Sequence, residues 1–130
     1  MTPEKAIPSD LVLLVDDDQF LRDMYALKFK EKGFTVETAE GGQEALEKLR
    51  GGMQPKLLIF DLVMPGIDGF EFLERLQEEK LAEGAMKIVL SNQGQDSDME
   101  KAKSLGATEY IVKANTIPSD VVAKVLLLSK

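Results

Sequence analysis

Two patterns of hydrophobic and polar residues alternate along this chain: short apolar runs, and longer stretches in which apolar residues recur at helical spacing. Short, continuous apolar runs are typical of parallel strands buried on both faces of a sheet. Stretches in which apolar residues recur every three or four positions predict amphipathic helices between those strands. The predicted strands are residues 11–15, 34–39, 57–60, 87–90 and 110–112. The second of them alternates apolar and polar residues, as an edge strand with one wetter face would.

Each predicted strand is followed by a predicted helix. The first helix ends near Gly33, a residue suited to a left-handed C-cap, and Phe29 falls off its apolar stripe. A polar loop over residues 91–98 precedes the fourth helix, and either Thr116 or Ser119 caps the fifth. Three helices have a predicted apolar face: Phe20, Met24 and Leu27 with Leu21 and Tyr25 beside them in the first; Ala45, Leu46 and Leu49 in the second; and Val121, Val122, Val125 and Leu128 in the fifth. The third helix is predicted to contain Phe70, Leu73 and Leu76, and the fourth Met99, Ala102 and Leu105.

Five strand–helix units predict an α/β fold with one parallel five-stranded sheet. Right-handed crossovers place helices on both faces, which gives a doubly wound, three-layer sandwich. The strand order reverses once in such a sheet, most simply with strand 1 central and strand 2 at the edge. The 130 residues are accounted for by one domain over 1–130, with a core from about residue 10 and an N-terminal extension over residues 1–9.

Composition narrows the possible functions. The net charge of −7 argues against nonspecific nucleic-acid binding, which needs a positive surface. The chain has no cysteine and no histidine, so disulfides, thiolate metal sites and an internal phosphohistidine are excluded. The N-terminal residues are not a signal peptide, and no apolar stretch approaches the length of a membrane span. We therefore expect a cytoplasmic protein with no membrane contact.

Polar side chains follow the predicted strands where each one ends. Asp16 and Asp17 follow the first strand, and Asp61, Ser91 and Lys113 follow the third, fourth and fifth. The carboxyl ends of parallel strands meet at one edge of a sheet, and ligands bind in the crevice there. We therefore expect a site for a divalent metal and a phosphoryl group.

Charge suggests a role for each group in this set. Carboxylates at the tips of adjacent strands repel each other unless a cation lies between them, and Mg²⁺ prefers a few carboxylates together with water and phosphate oxygens. An ammonium such as that of Lys113 is costly after a buried strand unless it meets anions, so it is expected to pair with Asp61. Ordinary alternatives exist: the acids at 16–18 suit a helix N-terminus, with Asp18 as N-cap, and Asp61 and Ser91 suit turns.

Four motifs carry a resemblance to a known family. They are VDDD at 15–18, FDLVMPGIDGFE at 60–71, VLSN at 89–92 and GATEYIVKA at 106–114. In this order and spacing, the chain resembles a receiver domain of bacterial two-component response regulators, and in particular the single-domain chemotaxis receivers, from about Asp10 to Lys130. The resemblance implies a flavodoxin-like fold with strand order 2-1-3-4-5.

The family's functional residues map onto this chain position by position. The resemblance implies that Asp61 is the phosphoacceptor and that Asp16, Asp17, Asp61 and the backbone carbonyl of Val63 hold Mg²⁺. It further implies that Ser91 and Lys113 contact the phosphoryl group. Tyr110 would be the aromatic residue that turns inward on activation, although a half-buried strand tyrosine is an equally good interpretation.

The implied function is phosphoryl transfer in signalling rather than enzymatic turnover. Asp61 would accept a phosphoryl group from the phosphohistidine of a sensor histidine kinase or phosphotransfer protein. The added charge would pull Ser91 inward and change the surface formed by the fourth helix, fifth strand and fifth helix, which a downstream protein would then bind.

Three residues depart from the family pattern. Ala114 follows Lys113 where the family usually has a proline in a cis bond, and a cis bond before a non-proline residue costs about 3 kcal/mol. Asn92 stands where a small residue is usual, and Val63 where a polar one is frequent. Our hypothesis is that Val63, which cannot orient water, and Asn92, which crowds the site, set the lifetime of the phosphoryl group.

Three other functions remain as alternatives. A Mg²⁺-dependent phosphohydrolase with an aspartyl nucleophile commonly needs a second acid two residues later, where this chain has Val63. A flavin-binding module needs a phosphate loop after the first strand, where three aspartates would repel phosphate. A degenerate receiver would act only as a protein-binding module, although all the expected phosphorylation residues are present.

Overall fold

The computed structural model describes residues 10–92, 94–113 and 117–128. Its strands and helices alternate throughout, as predicted. In chain order the elements are β1 (Leu11–Val15), α1 (Gln19–Glu31), β2 (Thr35–Ala39), α2 (Gly42–Arg50), β3 (Leu57–Phe60), α3 (Gly69–Glu79), β4 (Met86–Ser91), α4 (Asp96–Ser104), β5 (Glu109–Val112) and α5 (Pro118–Leu128). The predicted extension over residues 1–9 lies outside the described residues.

All the strands are parallel and form one sheet in the order β2-β1-β3-β4-β5, which confirms the predicted doubly wound fold. The central strands are apolar throughout because each face of the sheet supports its own apolar layer. Alternate residues such as Leu13 and Phe60 pack with α2, α3 and α4, while Leu14 and Ile59 pack with α1 and α5. Strand β2 lies at the edge and exposes Thr35 and Glu37, as its alternating pattern predicted.

The predicted apolar face of the first helix was wrong. Phe20 and Leu27 are exposed, and the buried side chains of α1 are Tyr25, Ala26 and Phe29. Phe29, which the predicted stripe left out, is fully buried, and its ring meets that of Phe34 edge-on at a centroid distance of 5.7 Å. Apolar residues on α1 are numerous enough to form two overlapping helical stripes, and packing on the sheet selects one of them.

The helix predicted to contain Phe70, Leu73 and Leu76 is α3, in which Phe72 is also fully buried and Phe70 only partly. The predicted start of the fourth helix needed correction. Helix α4 begins at Asp96, inside the stretch predicted as a polar loop, and Ser91 still belongs to β4. Acidic residues in the first turn of a helix are stabilised by the positive end of the helix dipole. Because acidic residues are also common in loops, the sequence did not show that the helix begins at Asp96.

Helix ends follow the sequence signals in part. Helix α1 ends two residues before Gly33, whose φ of 95° is a left-handed conformation that favours glycine. Ser119 lies within α5 rather than before it, so it is not the N-cap. Thr116, the other predicted cap, lies outside the described residues.

Candidate functional site

A cavity of about 420 Å³ opens at the carboxyl ends of β1, β3, β4 and β5. It brings together every residue that the sequence predicted for metal and phosphoryl binding. The side chains that line it are Asp16, Asp17, Asp18, Leu21, Asp61, Val63, Ser91, Asn92 and Lys113. Tyr110, the predicted switch residue, does not line this cavity.

Lys113 connects two of the carboxylates in this cavity. Its Nζ donates to Oδ2 of Asp61 at 2.9 Å, as predicted, and also to Oδ2 of Asp16 at 3.0 Å, which the sequence did not predict. Burial would lower the pKa of Lys113, but the hydrogen bonds and charges of Asp61 and Asp16 outweigh that effect and raise the pKa above its ordinary value. A charged ammonium is therefore stable here and screens the two carboxylates from each other.

The three aspartates after β1 have three different environments. Asp16 is buried, and its Oδ1 accepts the backbone N–H of Asp18 at 2.9 Å. Asp18 is the N-cap of α1 and accepts the backbone N–H of Leu21 at 3.1 Å, which confirms the predicted cap. Asp17 is exposed at the cavity wall, and its carboxylate accepts no hydrogen bond from the part of the chain that the structure describes.

The loop after β3 holds Asp61 at the cavity wall. Oδ1 of Asp61 accepts the backbone N–H of Val63 at 3.1 Å, and the backbone N–H of Gly69 donates to the carbonyl of Leu62 at 2.8 Å. A Cβ on Gly69 would lie 2.8 Å from the carbonyl oxygen of Asp61, so only glycine allows this close approach. The Asp68-Gly69 pair thus closes the loop that carries the phosphoacceptor candidate and Val63.

Ser91, at the cavity wall, shares a hydrogen bond with Tyr110, which does not line the cavity. Ser91 is fully buried at the end of β4, and Tyr110 is 7% exposed, more buried than the half-buried strand residue of the alternative interpretation. Burial is the main cause that raises the pKa of Tyr110; the charge of Asp98 adds to it, and a hydrogen bond with Ser91 opposes it. The predicted switching role of these two residues remains a prediction.

Two residues of α1 that the sequence had not assigned to the site also contact or face it. Nη1 of Arg22 donates to the backbone carbonyl of Asp16 at 2.8 Å. Tyr25 is buried, and burial is the main cause that raises its pKa; Lys113 lowers that pKa and Asp16 raises it, so its hydroxyl senses both charges. No sequence signal identified Arg22. Tyr25 could have been identified if the apolar face of α1 had been predicted correctly, because Tyr25 lies on the face that packs against the sheet.

The donor set suits Mg²⁺, although it is not a preformed cage. In the described ranges, no three acidic, histidine or cysteine side chains are arranged closely enough to hold a metal by themselves. Mg²⁺ keeps several waters and is usually bound through one or two carboxylates together with phosphate oxygens, so such a cage is not required. Asp16, Asp17 and Asp61 supply oxygen ligands of the right kind around one cavity. Mg²⁺ is also the metal that the resemblance to receiver domains implies.

Two further expectations have simple outcomes. Ala114 lies outside the described residues, so the geometry of the Lys113–Ala114 bond stays a prediction. Within residues 10–92, 94–113 and 117–128, no helix is long and apolar enough to cross a membrane.

Comparison with known proteins identifies the family. Residues 12–125 match the family model of the response regulator receiver domain. The chain is 37% identical over 117 residues to the chemotaxis protein CheY of Halobacterium salinarum, covering 88% of this chain and 95% of that protein. It is 29% identical over 121 residues to the transcriptional regulatory protein SphR of Synechococcus elongatus, covering 87% of this chain but only 46% of that relative.

Solved structures agree with this assignment. The chemotaxis protein CheY4 of Vibrio cholerae superimposes with a TM-score of 0.82 at 29% identity, covering 92% of this chain and 98% of that one. A CheY-like receiver domain protein from Methanospirillum hungatei gives a TM-score of 0.82 at 27% identity, with 92% and 93% coverage. Family match, fold and the arrangement of the strand-end residues agree, and the chain belongs to the response regulator receiver domain family.

Proposed function

We propose that Asp61 accepts a phosphoryl group from a phosphohistidine on a sensor histidine kinase or phosphotransfer protein. The observation that carries this proposal is the position of its carboxylate, which lies at the wall of a cavity with Lys113 2.9 Å from one oxygen. Each oxygen of Asp61 accepts one hydrogen bond from the described residues, which leaves further lone pairs for a nucleophilic attack. Asp16, Asp17 and the backbone carbonyl of Val63 are proposed to complete a Mg²⁺ site with Asp61.

The proposed reaction transfers one phosphoryl group between two proteins. An oxygen of Asp61 forms a bond to phosphorus while the bond from phosphorus to the histidine nitrogen breaks, and that nitrogen keeps the electron pair. Lys113 pairs with the phosphoryl oxygens as they acquire charge, and Ser91 donates to one of them, so the contribution of the chain is mainly positioning and electrostatics. When bound, Mg²⁺ supplies the additional positive charge that the phosphoryl oxygens require.

The proposed output is a change in a protein-binding surface. Ser91 is buried and shares a hydrogen bond with Tyr110, and the charges of Asp98 and Asp61 act on the Tyr110 hydroxyl. A phosphoryl group on Asp61 adds charge and acceptor oxygens that compete for the Ser91 hydroxyl. We propose that Tyr110 follows this change, which alters the surface of α4, β5 and α5 that a downstream protein reads.

The central test is phosphorylation by a small donor. Wild-type protein incubated with acetyl phosphate and Mg²⁺ is expected to gain one phosphoryl group by intact mass, and the gain should disappear when EDTA replaces Mg²⁺. Asp61→Asn should gain none, while Asp23→Asn, which alters an exposed acid of α1 that does not line the cavity, should behave as wild type. An adduct that resists hydroxylamine, or phosphorylation that persists in Asp61→Asn, would exclude Asp61 as the acceptor.

The same experiment separates the main alternatives. Sustained hydrolysis of a phosphate ester with many turnovers would favour a phosphohydrolase. Absence of any phosphoryl gain in the folded wild type would favour a receiver that acts only as a protein-binding module.

A further inference from the structure

Arg22 makes a specific contact with the loop that carries two proposed metal ligands. It lies one turn into α1, where its backbone N–H donates to the carbonyl of Asp18 at 2.9 Å. Its side chain reaches back, and Nη1 donates to the carbonyl oxygen of Asp16 at 2.8 Å. That carbonyl belongs to the peptide group that joins Asp16 to Asp17.

This contact fixes the backbone immediately before Asp17. The N–H of Asp16 donates to the carbonyl of Ala39 at 3.1 Å, and the N–H of Asp18 donates to Oδ1 of Asp16 at 2.9 Å. The hydrogen bond from Arg22 adds the third restraint, on the carbonyl between these two points. Because a guanidinium is planar and always charged, it makes a strong and directional bond to that oxygen.

Asp17 depends on this backbone more than its neighbours do. Asp16 is held by Asp18 and Lys113, and Asp18 by its cap to Leu21. Asp17 is exposed, and its side chain has no hydrogen bond or ion pair with the described residues. The backbone that Arg22 holds therefore sets the direction of the Cα–Cβ bond from which the carboxylate of Asp17 extends.

We propose that Arg22 is a positioning residue for the Mg²⁺ site: it orients the Asp16–Asp17 peptide group so that the carboxylate of Asp17 faces the cavity. This inference rests on the proposed function, because it concerns the metal that phosphorylation requires. Arg22 acts through the backbone and does not touch the metal or the phosphoryl group.

The charge of Arg22 gives the proposal a sharp test, because charge and positioning predict opposite results. A guanidinium near the carboxylates repels a dication, so its removal would strengthen Mg²⁺ binding if charge alone mattered. Loss of a group that orients metal ligands typically weakens metal affinity by 10- to 100-fold. We expect Arg22→Met to weaken Mg²⁺ binding by about tenfold, against the charge effect.

The experiment is a Mg²⁺ titration of the full chain by calorimetry, with wild type, Arg22→Met, Arg22→Gln, Arg22→Lys and the control Lys30→Met. Lys30 is an exposed cation near the other end of α1, so its variant removes one positive charge without affecting the Asp16 carbonyl. Arg22→Gln and Arg22→Lys each retain a donor, and we expect both to bind Mg²⁺ better than Arg22→Met. Lys30→Met should bind as wild type or slightly more tightly.

A second readout follows the backbone without metal. In Mg²⁺-free protein, the amide of Asp17 should shift in its NMR spectrum in Arg22→Met and should remain unchanged in Lys30→Met. Circular dichroism establishes that each variant is folded, and the Gln and Lys variants carry the test if the Met variant is not. Two outcomes would overturn the positioning role and leave the proposed function intact. In the first, Arg22→Met binds Mg²⁺ as tightly as wild type or more tightly. In the second, Arg22→Gln and Arg22→Lys bind Mg²⁺ no better than Arg22→Met. Failure of the wild type to bind Mg²⁺ overturns both.

Discussion

The two ends of the sheet each hold a partly buried lysine, and the two ammonium groups have opposite pKa shifts. At the carboxyl end, Lys113 lies between Asp16 and Asp61, and these anions outweigh burial and raise its pKa. At the amino end of β4, Nζ of Lys87 donates to the backbone carbonyls of Ala82 and Ala85 at 2.7 and 3.3 Å. Burial lowers the pKa of Lys87, and the charge of Glu83 opposes this only in part.

The opposite pKa shifts of the two lysines show that the two ends of the sheet differ in negative charge. Backbone carbonyls satisfy the hydrogen bonds of an ammonium but bring no countercharge, so burial dominates at Lys87. The carboxylates at the other end bring more negative charge than one lysine neutralises, which leaves that end able to bind a further cation. Lys87 holds the loop between α3 and β4 in place, whereas Lys113 is the cation of the proposed phosphorylation site.

Removing each lysine should have very different consequences. Lys113→Met is expected to slow phosphorylation by acetyl phosphate about 100-fold, the cost of losing one group that stabilises transition-state charge. In Mg²⁺-free buffer it should also lower the free energy of unfolding by about 3 kcal/mol, because Asp16 and Asp61 lose their shared partner. Mg²⁺ binding should become tighter, since the ammonium no longer competes for the same oxygens. Rates by intact mass and urea unfolding measure these effects.

Lys87→Met is the matched control for that variant. The substitution removes two hydrogen bonds to carbonyls, which destabilises the protein, but it also removes the cost of burying a charge. Because these effects oppose each other, the free energy of unfolding should change by about 1 kcal/mol or less. Phosphorylation and Mg²⁺ affinity should remain those of wild type. A comparable loss of phosphorylation in both variants would contradict the contrast between the two ends of the sheet.

Residues at the mouth of the carboxyl-end cavity should control the lifetime of the phosphoryl group. Val63 is 59% exposed and lines the cavity together with Asn92. We expect Val63→Asn, which can orient water, and Asn92→Ala, which removes bulk, each to speed dephosphorylation by roughly tenfold, equivalent to about 1.4 kcal/mol in the barrier. Decay of the phosphorylated mass after donor removal is the measurement. Val63→Ala supplies no polar group and is the control; unchanged decay in both test variants would refute the hypothesis.

The pH dependence of unfolding should distinguish the two lysines as well. Because the pKa of Lys113 is higher in the folded than in the unfolded state, its contribution is fully present below the ordinary value of 10.5 and is lost as pH rises through the folded pKa. The pKa of Lys87 is lower when folded, so its burial becomes less costly as pH rises through that pKa. Lys113→Met should therefore flatten the loss of stability at alkaline pH, and Lys87→Met should steepen it. Urea midpoints across that pH range provide the measurement.

The smallest expected effect is spectroscopic. The chain has two tyrosines and no tryptophan, and burial raises the pKa of both Tyr25 and Tyr110 above 10.0. Tyrosinate absorbance should therefore appear at a higher pH in native protein than in urea-unfolded protein. Lys113→Met should delay the ionisation of Tyr25 further, because the ammonium lowers its pKa. Ionisation of Tyr25 at an unchanged pH in that variant would show that Lys113 does not influence its hydroxyl.

Local patterns in the sequence determined the fold and most of the site. Short, continuous apolar runs such as 57–60, set between helical stretches, favour a strand that is buried on both faces, and this places Asp61 at the carboxyl edge without any knowledge of contacts. The same reasoning places Ser91 and Lys113, because parallel strands end at a common edge. Side-chain chemistry then narrowed the function to metal and phosphoryl binding.

Only the tertiary structure decided which face of α1 is buried and which oxygen atoms Lys113 and Arg22 contact. Phe29 rather than Phe20 is buried because the sheet selects one of two overlapping stripes on α1, and the stripes differ too little in sequence to choose between them. Lys113 meets Asp16 at 3.0 Å although the two residues are far apart in the sequence. Arg22 reaches the carbonyl of Asp16 at 2.8 Å because its side chain turns back along α1. Hydrophobic periodicity constrains the path of the backbone, whereas such short polar contacts depend on the packing of whole elements, which no local pattern records.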